Sequence, residues 1–150
     1  GAALRRRGGS DGPRGAERDL GGTARMIGLG IDLCQVERIE KAMAAHANFL
    51  SRYYTEEEQA YIAQRGKAGP QSAAAMFAAK EALLKAMGVG LSGGISLREI
   101  GVRHDENGAP HYKLTGAAAE KLRAMGGGMI YLSLTHEGGA AAAVAVIERA

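Results

Sequence analysis

The run Phe77-Ala-Ala-Lys80-Glu81-Ala-Leu-Leu-Lys85 sets a carboxylate between two lysines within two helical turns, and Asp32 closes an upstream run, Met26-Ile-Gly-Leu-Gly-Ile-Asp32. Sites that bind a polyphosphate with a divalent cation need one or two carboxylates for the ion and cations for the remaining phosphate charge. Asp32 and Glu81 are the candidate ligands, with Lys80 and Lys85 as the candidate cations. The competing reading of Glu81 and Lys85 is an ordinary i, i+4 surface pair. For Asp32 it is a cap on the helix that follows.

The elements that must position these residues can be read locally. From Gln71 to Met87 there is neither proline nor interior glycine, the residues are mostly strong helix formers, and Gly88 stands where a helix ends. The helical period places Met76, Phe77, Leu83, Leu84 and Met87 on one inward stripe, with Lys80 projecting from its middle and Glu81 beside it. A buried lysine needs partners. Upstream, Ile27, Leu29 and Ile31 alternate with Gly28, Gly30 and Asp32. A strand there has an apolar face and an almost bare one, and glycines on a strand mark close approach of a backbone or a ligand.

These pieces resemble the holo-acyl-carrier-protein synthases, the short bacterial type of 4′-phosphopantetheinyl transferase. The resemblance is carried by Ile27-Gly-Leu-Gly-Ile-Asp32 followed by Val36-Glu-Arg-Ile39, and by Arg52-Tyr-Tyr-Thr-Glu-Glu-Glu58. The Lys80-Glu81 helix with Gly88-Val-Gly90 behind it, and Leu132-Ser-Leu-Thr-His136, complete it in the family's order, from Met26 to about Arg149. It implies an α+β fold, a small antiparallel sheet packed on a long central helix. It implies transfer of 4′-phosphopantetheine from coenzyme A to a serine of apo acyl carrier protein, releasing 3′,5′-ADP, in fatty acid biosynthesis. By this resemblance Asp32 and Glu81 hold Mg2+, Lys85 lies against the transferred phosphate, and Gly88 and Gly90 let backbone amides approach it. Lys80, Thr135 and His136 fall on the coenzyme A side. Some relatives carry a basic residue where this chain has Met76, so contacts to the nucleotide's 3′-phosphate are expected elsewhere. The resemblance further implies a homotrimer with active sites between subunits. Because acyl carrier proteins are acidic, Arg38, Lys41 and Arg52 are the candidate docking cations. A noncatalytic module that binds coenzyme A or a nucleotide would keep the glycine turn and the lysines without needing both carboxylates.

Charge and composition exclude other classes. The 150 residues suffice for one domain with a core. Residues 1–25 hold six arginines against three acids, and the remainder is balanced at thirteen of each sign, so the net charge of +3 belongs to a Gly/Arg-rich leader. That leader is expected to be disordered, with the folded unit at 26–150. A nucleic-acid-binding protein would rest on this leader alone, because the rest lacks a basic and aromatic surface pattern; neither a nucleic-acid nor a membrane partner is expected, since no apolar run approaches a membrane span. One cysteine, Cys34, excludes an internal disulfide and suits the cytoplasm. Four histidines form no metal-ligand spacing; His104 and His111 are expected in solvent and His136 at a strand end.

The other expected elements are a helix from Val36 to about Ala45 with Val36, Ile39 and Met43 inward, and a Thr55/Glu58 capping box opening a helix that ends near Arg65. Strands over Leu97–His104 and His111–Leu114 are joined by Asp105-Glu-Asn-Gly108. Thr115 is placed as the cap of a helix over Gly116–Met125. The alanine-rich end reads as a closing hairpin, because Ile130, Leu132 and Leu134 alternate before Glu137-Gly-Gly139 and Val144-Ala-Val-Ile147 is β-rich.

Overall fold

A long helix crosses one face of a small sheet, and glycines decide how closely it lies. The computed structural model describes residues 25–90 and 93–150, so the expected leader, apart from Arg25, falls outside the described residues. The strands β1 (Met26–Gln35), β4 (Gly127–Glu137) and β5 (Ala140–Arg149) form an antiparallel sheet in the order β1-β5-β4. The helix α4 (Gly69–Ala86) packs on β1 and β5. At Gly28 a Cβ would collide with the carbonyl oxygen of Ala86, and at Gly30 with that of Ala82. The bare face of β1 is therefore filled by helix backbone, and Ala141, Ala143 and Ala145 of β5 are buried beside it. Their small side chains bring helix and sheet together, which is why an alanine-rich segment of high helix propensity is a strand here.

The helix α4 is buried on nearly every side rather than along one stripe: Met76, Leu83, Leu84 and Met87 lie in the core with Ala73, Ala74, Ala78, Ala79 and Ala82, while Phe77 is only partly covered. Its outer side is closed by α1 (Val36–Ala45), α3 (Glu56–Gln64) and the hairpin of β2 (Ile100–His104) and β3 (Pro110–Leu114), with α2 (Phe49–Tyr53) packed on α1 and α3. Two tyrosines fasten it: the Tyr54 hydroxyl donates to Ala73 O at 2.7 Å and the Tyr112 hydroxyl to Ala79 O at 2.5 Å.

Four local details carry a physical reason. The Thr55/Glu58 capping box is present, and the Glu58 carboxylate also receives the Val102 amide at 3.0 Å, so one side chain caps α3 and anchors β2. Leu97–Glu99 is a single 3-10 turn instead of the start of β2, because Ser96 and Glu99 form a second capping box. Thr115 occupies the N-cap of α5 (Gly116–Ala124) without capping it through its side chain; Glu99 accepts from the amides of Ala117 and Ala118 instead. In the β2–β3 turn Asp105 accepts from the amides of Asn107 and Ala109 and pairs with exposed His111 at 2.8 Å. His104 departs from the expected solvation: it stacks on Tyr61 at 4.3 Å, and burial pushes its pKa down.

The outward face of the sheet is apolar. Leu29 and Tyr131 flank Val146, Ile31 and Ser133 flank Val144, and Leu33 and Thr135 flank Ala142. Met26, Leu29, Ile31, Leu33, Met129 and Tyr131 are between 48% and 68% exposed, well above the cover expected of large apolar side chains.

Candidate active site

Asp32 and Glu81 meet because β1 and α4 run in opposite directions with backbones in contact. Gly28 lies against Ala86 and Gly30 against Ala82, so two residues further along β1 the chain reaches the turn of α4 that carries Glu81. Lys85, one turn from Glu81, reaches back: its Nζ lies 2.9 Å from Asp32 Oδ1 and 3.0 Å from Ile31 O. The competing reading, an i, i+4 pair of Glu81 with Lys85, is therefore replaced by a pair across the two elements. Glu81 has no hydrogen-bond partner among the described residues. Burial first, and the Asp32 charge second, push its carboxyl pKa up, against Lys85 and Arg38, which pull it down. A half-buried carboxylate repelled by a neighbouring one is a place where a cation would be stabilised.

Glu81 opens into a cleft of about 570 Å³ walled by Phe49, Tyr53, Phe77, Ile95 and Leu97, with Arg38 and Arg52 at its edge. The Arg38 guanidinium lies 5.7 Å from the Phe77 ring centre and that of Arg52 5.5 Å from the Tyr53 ring centre. Two of the three candidate docking cations thus border the carboxylate cleft. Lys41 does not line it and pairs with Glu37 in solvent at 2.9 Å. Cys34 is buried beside this region, and burial raises its thiol pKa, which keeps it a neutral apolar filler.

The structure corrects the placement of Lys80 on the coenzyme A side. Lys80 is fully buried, and its Nζ donates to Glu58 Oε1 at 2.8 Å, Ile100 O at 2.7 Å and Leu97 O at 3.0 Å. All three donors of an ammonium group are used, so nothing remains for a ligand. The lysine fastens α4 to α3 and to the start of β2.

Gly88 and Gly90 are exposed beyond the end of α4. Gly88 has φ +70° and Val89 N returns to Leu84 O at 3.0 Å, so the first glycine's local work is to end the helix. Among the described residues nothing lies within 4 Å of where a Cβ would stand at either glycine.

Thr135 and His136 line a different cavity, of about 250 Å³, together with Arg65, Gln71, Ser72, Met76 and His104. It lies at the opposite end of α4 from Lys85, and its lining shares no residue with the Glu81 cleft. The single chain therefore presents the expected site as two separate parts. Met76 is indeed part of this wall, and the cation beside it is Arg65. Sequence reasoning missed Arg65, Gln71 and Ser72, because nothing in their spacing tells that the start of α4 meets the end of β4. The polar cluster on either side of Gly66-Lys67 was the available signal. Among the described residues no group of three or more His, Cys, Asp or Glu could hold a metal by itself. Two carboxylates are the whole protein donor set on offer, and Mg2+ bound with a polyphosphate takes one or two.

Comparison with known proteins gives the family of the chain. The family model described as the 4′-phosphopantetheinyl transferase superfamily matches residues 28–142. The chain is similar to the holo-[acyl-carrier-protein] synthase of Treponema denticola, 44% identical over 82% of this chain and 98% of that protein. Among solved structures it is similar to the holo-[acyl-carrier-protein] synthase of Neisseria meningitidis, with TM-score 0.74 and 35% identity over 83% of this chain and 99% of that one. It is also similar to the enzyme of Bacillus anthracis in complex with CoA (3′,5′-ADP), with TM-score 0.71 and 31% identity over 85% of this chain and all of that one.

Proposed function

Because this chain belongs to the 4′-phosphopantetheinyl transferase superfamily, we propose that Asp32, Glu81 and Lys85 are its catalytic centre and that it acts as a holo-acyl-carrier-protein synthase. The reaction is transfer of 4′-phosphopantetheine from coenzyme A to a serine of apo acyl carrier protein. The serine oxygen forms a bond to the phosphorus that bears the pantetheine arm, the bond from that phosphorus to the oxygen bridging to the nucleotide breaks, and 3′,5′-ADP leaves. The observation that carries this reading is the convergence of Asp32, Glu81 and Lys85 where β1 crosses α4.

Asp32 and Glu81 would hold Mg2+, and their chemistry fits it: two oxygen donors, one of them half-buried and without a hydrogen bond. The ion supplies neutralisation of the diphosphate charge as the leaving group departs. Lys85, whose side chain is half exposed, would exchange Asp32 for a nonbridging phosphate oxygen, where it offsets charge that grows during transfer. In the turn that follows, the Gly88 and Val89 amides already donate to Lys85 O and Leu84 O, so of the two glycines it is Gly90 whose amide would approach the same phosphate.

The nucleotide end of coenzyme A suits the second cavity, where Arg65, the hydroxyls of Ser72 and Thr135, and His136 gather at the start of α4. That helix begins with no acidic residue in its first turn, so no carboxylate there opposes an anion. The carrier's acidic surface suits Arg38 and Arg52 at the cleft, with Lys41 one turn further along α1. The outward apolar rows of the sheet suit contact with further copies of the chain, as in the homotrimer that the family resemblance implies. Thr135 shares a row with Leu33 on that face, so such a contact would lie beside the polar cavity. Supplying holo carrier for fatty acid biosynthesis in the cytoplasm is consistent with a buried free thiol and with the lack, among the described residues, of a helix able to cross a membrane.

The test is mass spectrometry of apo carrier protein incubated with coenzyme A and magnesium. The carrier should gain one phosphopantetheine, the gain should disappear on chelation, and Asp32→Ala or Glu81→Ala should abolish it while the protein keeps its fold by circular dichroism. Near-normal turnover in either variant would falsify the two-carboxylate centre.

A further inference from the structure

Gln71 sits in the first turn of α4 and reaches to the end of β4, where its side-chain Nε2 lies 2.8 Å from His136 Nδ1. An amide nitrogen can only donate, so Nδ1 accepts through its lone pair, and in the neutral ring the hydrogen resides on Nε2. An unrestrained imidazole in water samples both tautomers. Here one amide selects the form whose remaining nitrogen is a donor. The selection matters because of the company His136 keeps. The shared cavity is also lined by Arg65, Ser72 and Thr135, and α4 begins there with no acidic residue in its first turn. Arg65 and the two hydroxyl-bearing residues favour a group that only accepts, such as a phosphate. In the other tautomer Nε2 would present a lone pair to that group and repel it.

We propose that Gln71 is a positioning residue for nucleotide binding: it holds His136 in the Nε2–H tautomer, so that the ring donates to a phosphate of the nucleotide end of coenzyme A. The proposal rests on the reading that the Thr135–His136 cavity receives that nucleotide. Gln71 gives the pocket a donor without adding charge, which leaves Arg65 as its fixed cation.

A purely structural Gln71, tying α4 to β4, would affect stability alone. Gln71→Met keeps the length of the side chain and removes the N–H. Two measurements decide the matter: nitrogen-15 NMR of the His136 imidazole, and calorimetric binding of 3′,5′-ADP. The wild-type protein should show the Nε2–H form in excess. Gln71→Met should show mixed tautomers and a Kd for 3′,5′-ADP raised roughly three- to tenfold, the worth of about one hydrogen bond. The KM for coenzyme A should rise in parallel while kcat carries little of the loss. Unchanged affinity in Gln71→Met alongside weakened binding in His136→Ala overturns the positioning role and keeps the nucleotide site. Unchanged affinity in His136→Ala overturns both. Should Gln71→Met fail to fold, the wild-type tautomer still decides, because a predominant Nδ1–H form contradicts the proposal outright.

Discussion

Lys80 and Lys85 stand five residues apart on one helix, and each ends within 2.9 Å of a carboxylate oxygen. One pair is sealed: Lys80 and Glu58 are both within 1% of full burial, and each makes further hydrogen bonds to backbone. The other is open, with the Lys85 side chain 54% exposed. Water decides the difference in use. Inside the core neither charge can be released without leaving its partner stranded, so the Lys80 pair fixes geometry. At the edge, exchanging Asp32 for another anion costs little, so Lys85 can serve a reaction.

Replacing each lysine by methionine tests that comparison most severely. Lys80→Met strands the Glu58 carboxylate in the core and should lower the free energy of unfolding by about 3–5 kcal/mol, read by urea or thermal denaturation. The molecules that remain folded should turn over normally. A wild-type melting curve combined with a raised KM for coenzyme A would mean instead that Lys80 touches the substrate, against its observed burial.

Lys85→Met should do the reverse. Stability should change by no more than about 1 kcal/mol, while kcat falls by about 10²-fold or more through loss of a cation facing the transferred phosphate. Paired measurement of melting temperature and single-turnover transfer separates the two lysines. Equal losses of stability in both variants would erase the distinction.

Only part of this division was legible in the chain. The period of α4 put Lys80 on the inward side, and its burial requires a partner, but Glu58 is twenty-two residues away and local spacing reports only its role in the capping box. A residue that does two jobs shows the nearer one. Gly28 and Gly30 signalled close approach, and the ambiguity between backbone and ligand resolved toward the backbone of α4, with Asp32 at the point where that contact ends. The hairpin of β4 and β5 was legible by alternation despite its alanines. The Thr115 cap was not, because Glu99 reaches it from the preceding loop. The two parts of the candidate site were named from family motifs, and only three-dimensional placement showed that one chain keeps them at opposite ends of α4.

The smallest expected effect concerns the carboxylate that no lysine satisfies. Burial and the Asp32 charge hold the Glu81 pKa above its ordinary value, so the folded protein favours the neutral acid. Its contribution to stability is then full below the unfolded pKa and is lost as pH rises through the folded one. Near neutrality, without divalent metal, the ionised group opposes folding, and Glu81→Gln should raise the melting temperature slightly, by at most about 2–4 °C. The gain should fade as pH drops below the carboxylate range, where wild-type Glu81 is protonated as well. Magnesium with 3′,5′-ADP should reverse the order, because only the wild-type protein keeps both carboxylates and ligand binding stabilises the state that binds. A variant less stable than wild type in metal-free buffer at neutral pH, or a gap that widens in acid, would place Glu81 with Glu58 among groups that hold the fold together rather than among those kept ready for a ligand.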